Sequence, residues 1–162
     1  MRLEHPFGPV FGPESRVLIL GSFPSVKSRE QQFYYGHPRN RFWKVAAAVF
    51  GREVPQTVPE KRALILENGL ALWDAVASCE ITGSADASIR NVRPNDVRRI
   101  LEQCPVERIF CNGRKSFEMY NRYILPDTGR EAVCLPSTSP ANAQWSLERL
   151  TAAWSEIALT RP

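Results

Sequence analysis

Apolar and polar positions fall into blocks with two different periods, and these blocks set out the elements of the chain. Residues 16–20 are a short, nearly continuous apolar run that stops at Gly21-Ser22-Phe23-Pro24-Ser25. Such a run predicts a buried strand of a parallel sheet that ends in a loop. Leu70-Ala71-Leu72-Trp73 repeats the pattern and delivers Asp74 at its carboxyl end. Residues 106–111 and 131–135 predict a third and a fourth strand, followed by Asn112-Gly113-Arg114-Lys115 and by Pro136-Ser137-Thr138-Ser139-Pro140-Ala141-Asn142. Between the strands the period lengthens. From about Pro38, the positions Phe42, Val45, Ala46, Val49 and Phe50 recur at three- and four-residue steps until Gly51, which predicts a helix. Thr57-Val58-Pro59-Glu60 reads as a capping box with proline in the first turn, and Asn68-Gly69 closes that helix. Pro94-Asn95-Asp96 caps another, carrying Val97, Ile100, Leu101 and Cys104 inward, and a further helix covers residues 116–123. The last is capped by Ser146, with Leu147, Leu150, Trp154 and Ile157 on one face and Trp145 and Leu150 at staple positions.

Two stretches lack either period. Residues 1–15 are rich in proline and glycine and predict an ordered arm. Residues 78–93, with Ser84, Asp86, Ser88, Arg90, Asn91 and Arg93, predict a long polar loop. Strands alternating with helices imply an α/β fold, a three-layer α/β/α sandwich with a four-stranded parallel central sheet. One domain over residues 1–162 accounts for the whole chain. Its four strands would bring residues 22–25, Asp74, residues 112–115 and residues 137–142 to one edge, the carboxyl edge at which open α/β sheets bind ligands.

Composition narrows the picture little. A net charge of +4 permits a polyanionic partner without requiring one. The basic set is mostly arginine, the better residue for bidentate phosphate contacts. No apolar run approaches the ~18 residues of a membrane helix, which argues against a membrane partner. Cys79, Cys104, Cys111 and Cys134 form no C-x-x-C pair and read as reduced core thiols of a cytoplasmic protein. Their spacing gives no support to an iron–sulfur site, and no metal or other cofactor is expected.

One stretch carries more chemistry than a surface loop needs: Tyr34-Tyr35-Gly36-His37-Pro38-Arg39-Asn40-Arg41-Phe42-Trp43. Aromatic faces stack on bases, guanidinium groups bind phosphates, and an amide can hold a water or read a base edge. Together they read as the wall of a nucleobase site.

With the strand-end loops, this run resembles the uracil-DNA glycosylase superfamily over nearly the whole chain. Gly21-Ser22-Phe23-Pro24-Ser25 stands where that superfamily has its first motif. His37-Pro38-Arg39-Asn40-Arg41-Phe42-Trp43 is similar to the His-Pro-x-Asn-Arg-Phe-Trp run of the mismatch-specific uracil/thymine glycosylases. Residues 69–76 resemble the strand whose terminal polar residue reads the flipped base, and Leu135-Pro136-Ser137-Thr138-Ser139-Pro140 resembles the minor-groove loop. Phe23 replaces the usual acid or amide and Ser137 the usual histidine, both as in the hypoxanthine-DNA glycosylase branch.

The resemblance implies a monofunctional glycosylase acting on double-stranded DNA that contains a deaminated or mismatched base, hypoxanthine foremost, and working as a monomer. It implies Asn40 as the catalytic residue, holding a water through its carbonyl oxygen; read alone, Asn40 is equally a helix N-cap. Phe23, Tyr35, Phe42, Asp74 and Asn112 are candidates for the base, although Phe23 alone reads as core and Asp74 as a polar strand end. Tyr34, Trp43 and Phe50 read as core. His37 fixes the loop, with Ser137 accessory to it. Ser22, Ser25, Thr138 and Ser139 are candidates for DNA phosphates, and Ala141 and Asn142 stand at the wedge position. Arg90, Arg93, Arg114 and Lys115 either follow the backbone or form a solvated surface. No lysine occupies a motif position, so no Schiff base is expected. Competing readings are a uracil or mismatched-thymine glycosylase and a non-catalytic binder of damaged DNA.

Overall fold

A computed structural model of the protein describes residues 2–82 and 89–158. The all-apolar runs fold into the centre of a parallel sheet. Strands β2 (Val17–Gly21), β3 (Leu70–Asp74), β6 (Arg108–Asn112) and β7 (Val133–Leu135) pair in the order β3-β2-β6-β7. Every residue of β2 and β3 is buried, as strands covered on both faces must be. From β2 the chain steps one way to β3, and from β6 it steps the other way to β7. Right-handed crossovers then place the connecting helices on opposite faces of the sheet. The three-layer α/β fold follows, and the order reverses between β2 and β6.

The helices are α1 (Val26–Gln31), α2 (Phe42–Val49), α3 (Val58–Glu67), α4 (Arg98–Leu101), α5 (Arg114–Met119), α6 (Leu125–Thr128) and α7 (Leu147–Trp154). Caps read from the sequence are present at α3 and α7, where Thr57 and Ser146 accept from the N–H groups of Glu60 and Arg149. Such a cap stabilises a helix by ~1 kcal/mol. The α4 helix is shorter than its pattern, yet Val97, Ile100 and Cys104 are buried and Leu101 is partly so. After α5 the chain continues through a π turn, Tyr120–Ile124. The α1 helix has no apolar period and was not foreseen; only Ser25, which accepts from Ser28 N–H, marks its start.

Two readings of the sequence are corrected. Residues 78–93 are not one long loop, and the arm is not devoid of strand. β1 (Arg2–Glu4), β4 (Val76–Glu80) and β5 (Arg90–Pro94) form an antiparallel sheet in the order β1-β4-β5. β5 has no buried residue, so it carries no apolar alternation to betray it. Ser84, Asp86 and Ser88 lie outside the described residues. Cys134 is exposed, whereas Cys79, Cys104 and Cys111 are core. Burial pushes the Cys111 thiol up to about 12, which makes it a packing group at neutral pH. Among the described residues no helix is long and apolar enough to cross a membrane.

Candidate active site

A cavity of about 250 Å³ opens at the point where the strand order reverses, just below the ~300 Å³ at which pockets for larger ligands begin. It suits one ring system. The end of β2 and the start of α1 contribute Gly21, Ser22, Phe23, Pro24, Ser25 and Ser28, and the segment before α2 contributes Tyr34, Tyr35 and Asn40. Asp74 comes from β3, Asn112 from β6, and Ser137, Thr138, Ser139 and Ala141 from the loop after β7. His37, Phe42, Arg114, Lys115 and Asn142 do not line it. Arg114 is exposed and Lys115 half-buried. A larger open hollow of about 850 Å³, bounded by Arg52, Pro55 and Leu64 among others, shares none of these residues.

Asn40 precedes α2, which begins at Phe42 and not near Pro38, because residues 37–40 are held in a turn. Asn40 N–H donates to His37 O at 2.9 Å, and His37 Nδ1 accepts from Arg39 N–H at 3.0 Å. The Asn40 amide is oriented by two donors. Its Oδ1 accepts from Phe42 N–H at 2.9 Å and from the Thr138 hydroxyl at 2.8 Å. That hydroxyl in turn accepts from Asn112 Nδ2 at 2.9 Å, while Thr138 N–H donates to Asn112 Oδ1 at 3.0 Å. A backbone N–H can only donate, so Asn40 turns its oxygen inward and leaves Nδ2 for the cavity. Thr138 is fully buried, and its hydroxyl joins Asn112 to Asn40 instead of reaching DNA, a correction to the sequence reading. Asn112 lines the cavity, but its amide is largely engaged by Thr138.

The guanidinium of Arg41 is likewise not a phosphate ligand. It donates to Ser139 O at 3.2 Å, to Asn142 O at 3.0 Å and to Trp145 O, while Arg41 N–H donates to Thr138 O at 3.0 Å. It staples the loop after β7 to the start of α2. Asn142 turns its side chain inward and donates to Ser137 O at 3.0 Å.

Phe42 is not a pocket wall but core, fully buried and stacked on Tyr35 with ring centroids 4.3 Å apart. The Tyr35 backbone sits at φ 53°, a left-handed conformation unusual outside glycine. Ser28 fixes this turn by accepting from Gly36 N–H at 2.8 Å. Phe23 presents a nearly buried ring to the cavity, while Tyr34 is core and donates to Gly8 O at 2.9 Å. Trp43 is buried and Phe50 partly so.

Asp74 is buried in the cavity floor, and its Oδ2 lies 2.7 Å from Nε2 of His5, with both side chains 5% exposed. Desolvation by burial, with the Asp74 charge nearby, raises the Tyr35 and Tyr34 hydroxyls well above the usual phenol range. Both are neutral donors at any working pH.

Chemistry of this kind at a sheet switch point is matched by the chain as a whole. The family described as "Uracil DNA glycosylase superfamily" matches residues 9–158. The chain belongs to that superfamily. Two superfamily relatives named hypoxanthine DNA glycosylase, from Methanosarcina acetivorans and Methanosarcina barkeri, are 35% and 32% identical to it. The alignments cover 91% and 93% of this chain and 93% and 94% of the relatives. A solution NMR structure of a Methanosarcina acetivorans protein that carries the name uracil DNA glycosylase superposes with a TM-score of 0.80 at 31% identity. That superposition spans 97% of this chain and 99% of the other.

Within this superfamily site, sequence reasoning missed His5 and the role of Arg41. Neither has a local signal, because their partners lie 69 and about 100 residues away. Gly21 was taken as a turn marker, but its need is steric: a Cβ there would overlap Asp74 Oδ1 and stand 3.1 Å from the Tyr35 hydroxyl oxygen. Gly21→Ala is expected to push Asp74 from His5, lowering stability by ~1–3 kcal/mol, as overpacking does, and lowering base release together with it. Thermal unfolding and single-turnover kinetics measure the two.

Proposed function

We propose that this chain is a monofunctional DNA glycosylase that draws a deaminated base, hypoxanthine foremost, out of double-stranded DNA and hydrolyses its N-glycosidic bond. The observation that carries the reading is the base-sized cavity on which the Asn40 amide, the Asp74 carboxylate, the Tyr35 hydroxyl and the Phe23 ring converge. The relatives' names agree with it. The target bond is hidden in the duplex, so the nucleotide is flipped out at a cost of a few kcal/mol. Cleavage builds positive charge on the sugar and negative charge on the departing base. An amide is no base at neutral pH, but a dissociative transition state needs a placed water more than an ionised one.

Asn40 places that water through Nδ2, which donates to the water oxygen and leaves a lone pair for the anomeric carbon. The carbonyl oxygen, the atom first expected to do this, is already engaged by Phe42 and Thr138. No lysine lines the cavity, which supports simple hydrolysis without strand cleavage. On this reading the protein acts on DNA as a monomer, in the cytoplasm.

A panel of duplexes containing hypoxanthine, uracil, xanthine or thymine opposite each base tests the reading. Alkali-labile abasic sites in the inosine duplex are expected. Fastest release of uracil or mismatched thymine would reassign the substrate, and release from none would leave a binder of damaged DNA.

A further inference from the structure

Among the described residues, two buried side-chain polar atoms have no hydrogen-bond partner: His5 Nδ1 and the Tyr35 hydroxyl. Both belong to the group around Asp74. An unpaired buried polar atom is costly, so two around one carboxylate call for a physical reason.

The His5 ring is enclosed by Phe7, Phe23 and Tyr34, with centroids at 4.6, 5.9 and 6.0 Å. No acceptor meets Nδ1, so a proton there would be an orphaned buried donor, and a bare lone pair is the cheaper arrangement. The ring proton therefore sits on Nε2, where it is donated to Asp74 Oδ2 at 2.7 Å. The oxygen left for a ligand is Oδ1, and it is an acceptor. It remains one even if the shared proton moves to Oδ2, because Oδ1 is then the carbonyl oxygen of the acid.

Oδ1 and the Tyr35 hydroxyl both crowd the point where a Cβ on Gly21 would stand. The Asn112 amide faces the Tyr35 oxygen as a donor and opposes in part the rise of that hydroxyl, so the phenol's own proton still has no acceptor. The cavity floor thus sets one donor beside one acceptor.

That pairing matches one chemical feature. Deamination converts an exocyclic amine next to a bare ring nitrogen into a carbonyl next to a ring N–H: adenine becomes hypoxanthine, and cytosine becomes uracil. The geometry points to His5, Asp74 and Tyr35 as a lactam reader, in which His5 is a positioning residue that commits Asp74 Oδ1 to accept the ring N–H while the Tyr35 hydroxyl donates to the adjacent carbonyl. Adenine and cytosine present the opposite pattern and would leave both protein groups unpaired. This rests on the glycosylase reading above and deepens it, because it names what the site recognises and adds an arm residue to the recognition.

The test compares release of three bases from otherwise identical duplexes under single-turnover conditions: hypoxanthine, 1-methylhypoxanthine, which keeps the carbonyl but lacks the ring N–H, and unsubstituted purine, which has a bare ring nitrogen and no carbonyl. Rates are compared within each variant, so partial misfolding cancels from the ratios. Tyr35→Phe is expected to lower the hypoxanthine-to-purine ratio by ~10-fold or more, the cost of one buried unmatched carbonyl. In Asp74→Asn, the His5 donor holds the amide oxygen and turns the NH₂ to the cavity, so the preference shifts from hypoxanthine toward purine. Adding His5→Leu frees the amide to turn its oxygen inward, and the preference returns toward hypoxanthine. His5→Gln, which keeps a donor, retains the wild-type ratio better than His5→Leu.

Equal ratios in Asp74→Asn with and without His5→Leu would overturn the role of His5. Wild-type rates equal for hypoxanthine and 1-methylhypoxanthine would overturn the reader as a whole. Either result leaves the glycosylase reading standing, whereas wild-type protein that releases no base from any duplex refutes that reading instead.

Discussion

Replacing Asn40 with alanine is expected to slow single-turnover release of hypoxanthine by ~100-fold or more, the scale of loss when a reacting group is misplaced by about 1 Å. The size follows from how rigidly the amide is held. Two donors fix its oxygen, one of them a backbone N–H that cannot change role. The alanine variant loses the Nδ2 donor together with its orientation. The same change removes the hydrogen bond from Phe42 N–H, at the first residue of α2, worth ~1 kcal/mol. A small drop in unfolding temperature with a large drop in rate therefore identifies a catalytic amide. A small drop in both would show Asn40 to be only a support of the turn before α2, and the chemistry would have to lie elsewhere.

The sequence disclosed what is periodic and what is contiguous. β2 and β3 were readable because burial on both faces makes strands uniformly apolar, and Thr57 and Ser146 because caps act over three residues. The cavity was readable as a set of loops, since parallel strands deliver their carboxyl ends to one edge. What stayed hidden depends on the third dimension. β5 is exposed except at the half-buried Val92 and so shows no apolar alternation, which hid its pairing with β4. Phe42 and Tyr35, seven residues apart, both looked like pocket walls. One is the stacked core support of the other, and residue type does not tell which ring faces inward.

Polar residues misled in a consistent direction. Thr138 and Arg41 have the composition of DNA ligands, yet their hydrogen-bonding capacity is spent on the protein's own backbone and amides. Such a site must hold several loops from distant segments in register, and polar side chains do that work where no regular ladder can. His5 shows the converse. In a Pro/Gly-rich arm it signals nothing, but the pairing of β1 with β4 carries the arm past Asp74, and His5 N–H donates to Ala77 O at 2.7 Å. The small antiparallel sheet, absent from the sequence reading, is what brings the histidine to Asp74.

Arg41→Met is expected to be the most destabilising single change at the site. Methionine keeps much of the stem and its packing, so the effect reports the guanidinium. Three carbonyls, those of Ser139, Asn142 and Trp145, lose the guanidinium at once, and only the first two keep a backbone donor, the N–H groups of Asn142 and Trp145. Trp145 O is left without a donor at ~1–3 kcal/mol, the other two bonds are charge-assisted, and solvent reaching a loosened loop recovers part of the loss, so a net loss of about 3 kcal/mol is expected. The functional loss should exceed what unfolding explains, because the freed loop carries Thr138, whose hydroxyl orients Asn40. Base release measured well below the unfolding transition would then fall along with that of Asn40→Ala. Arg41→Lys recovers little, since one ammonium cannot span three carbonyls as a planar fork does. Normal release with normal melting would instead mean that the loop holds its place without the arginine, and that the order of this cavity comes from the Thr138–Asn112 pair alone.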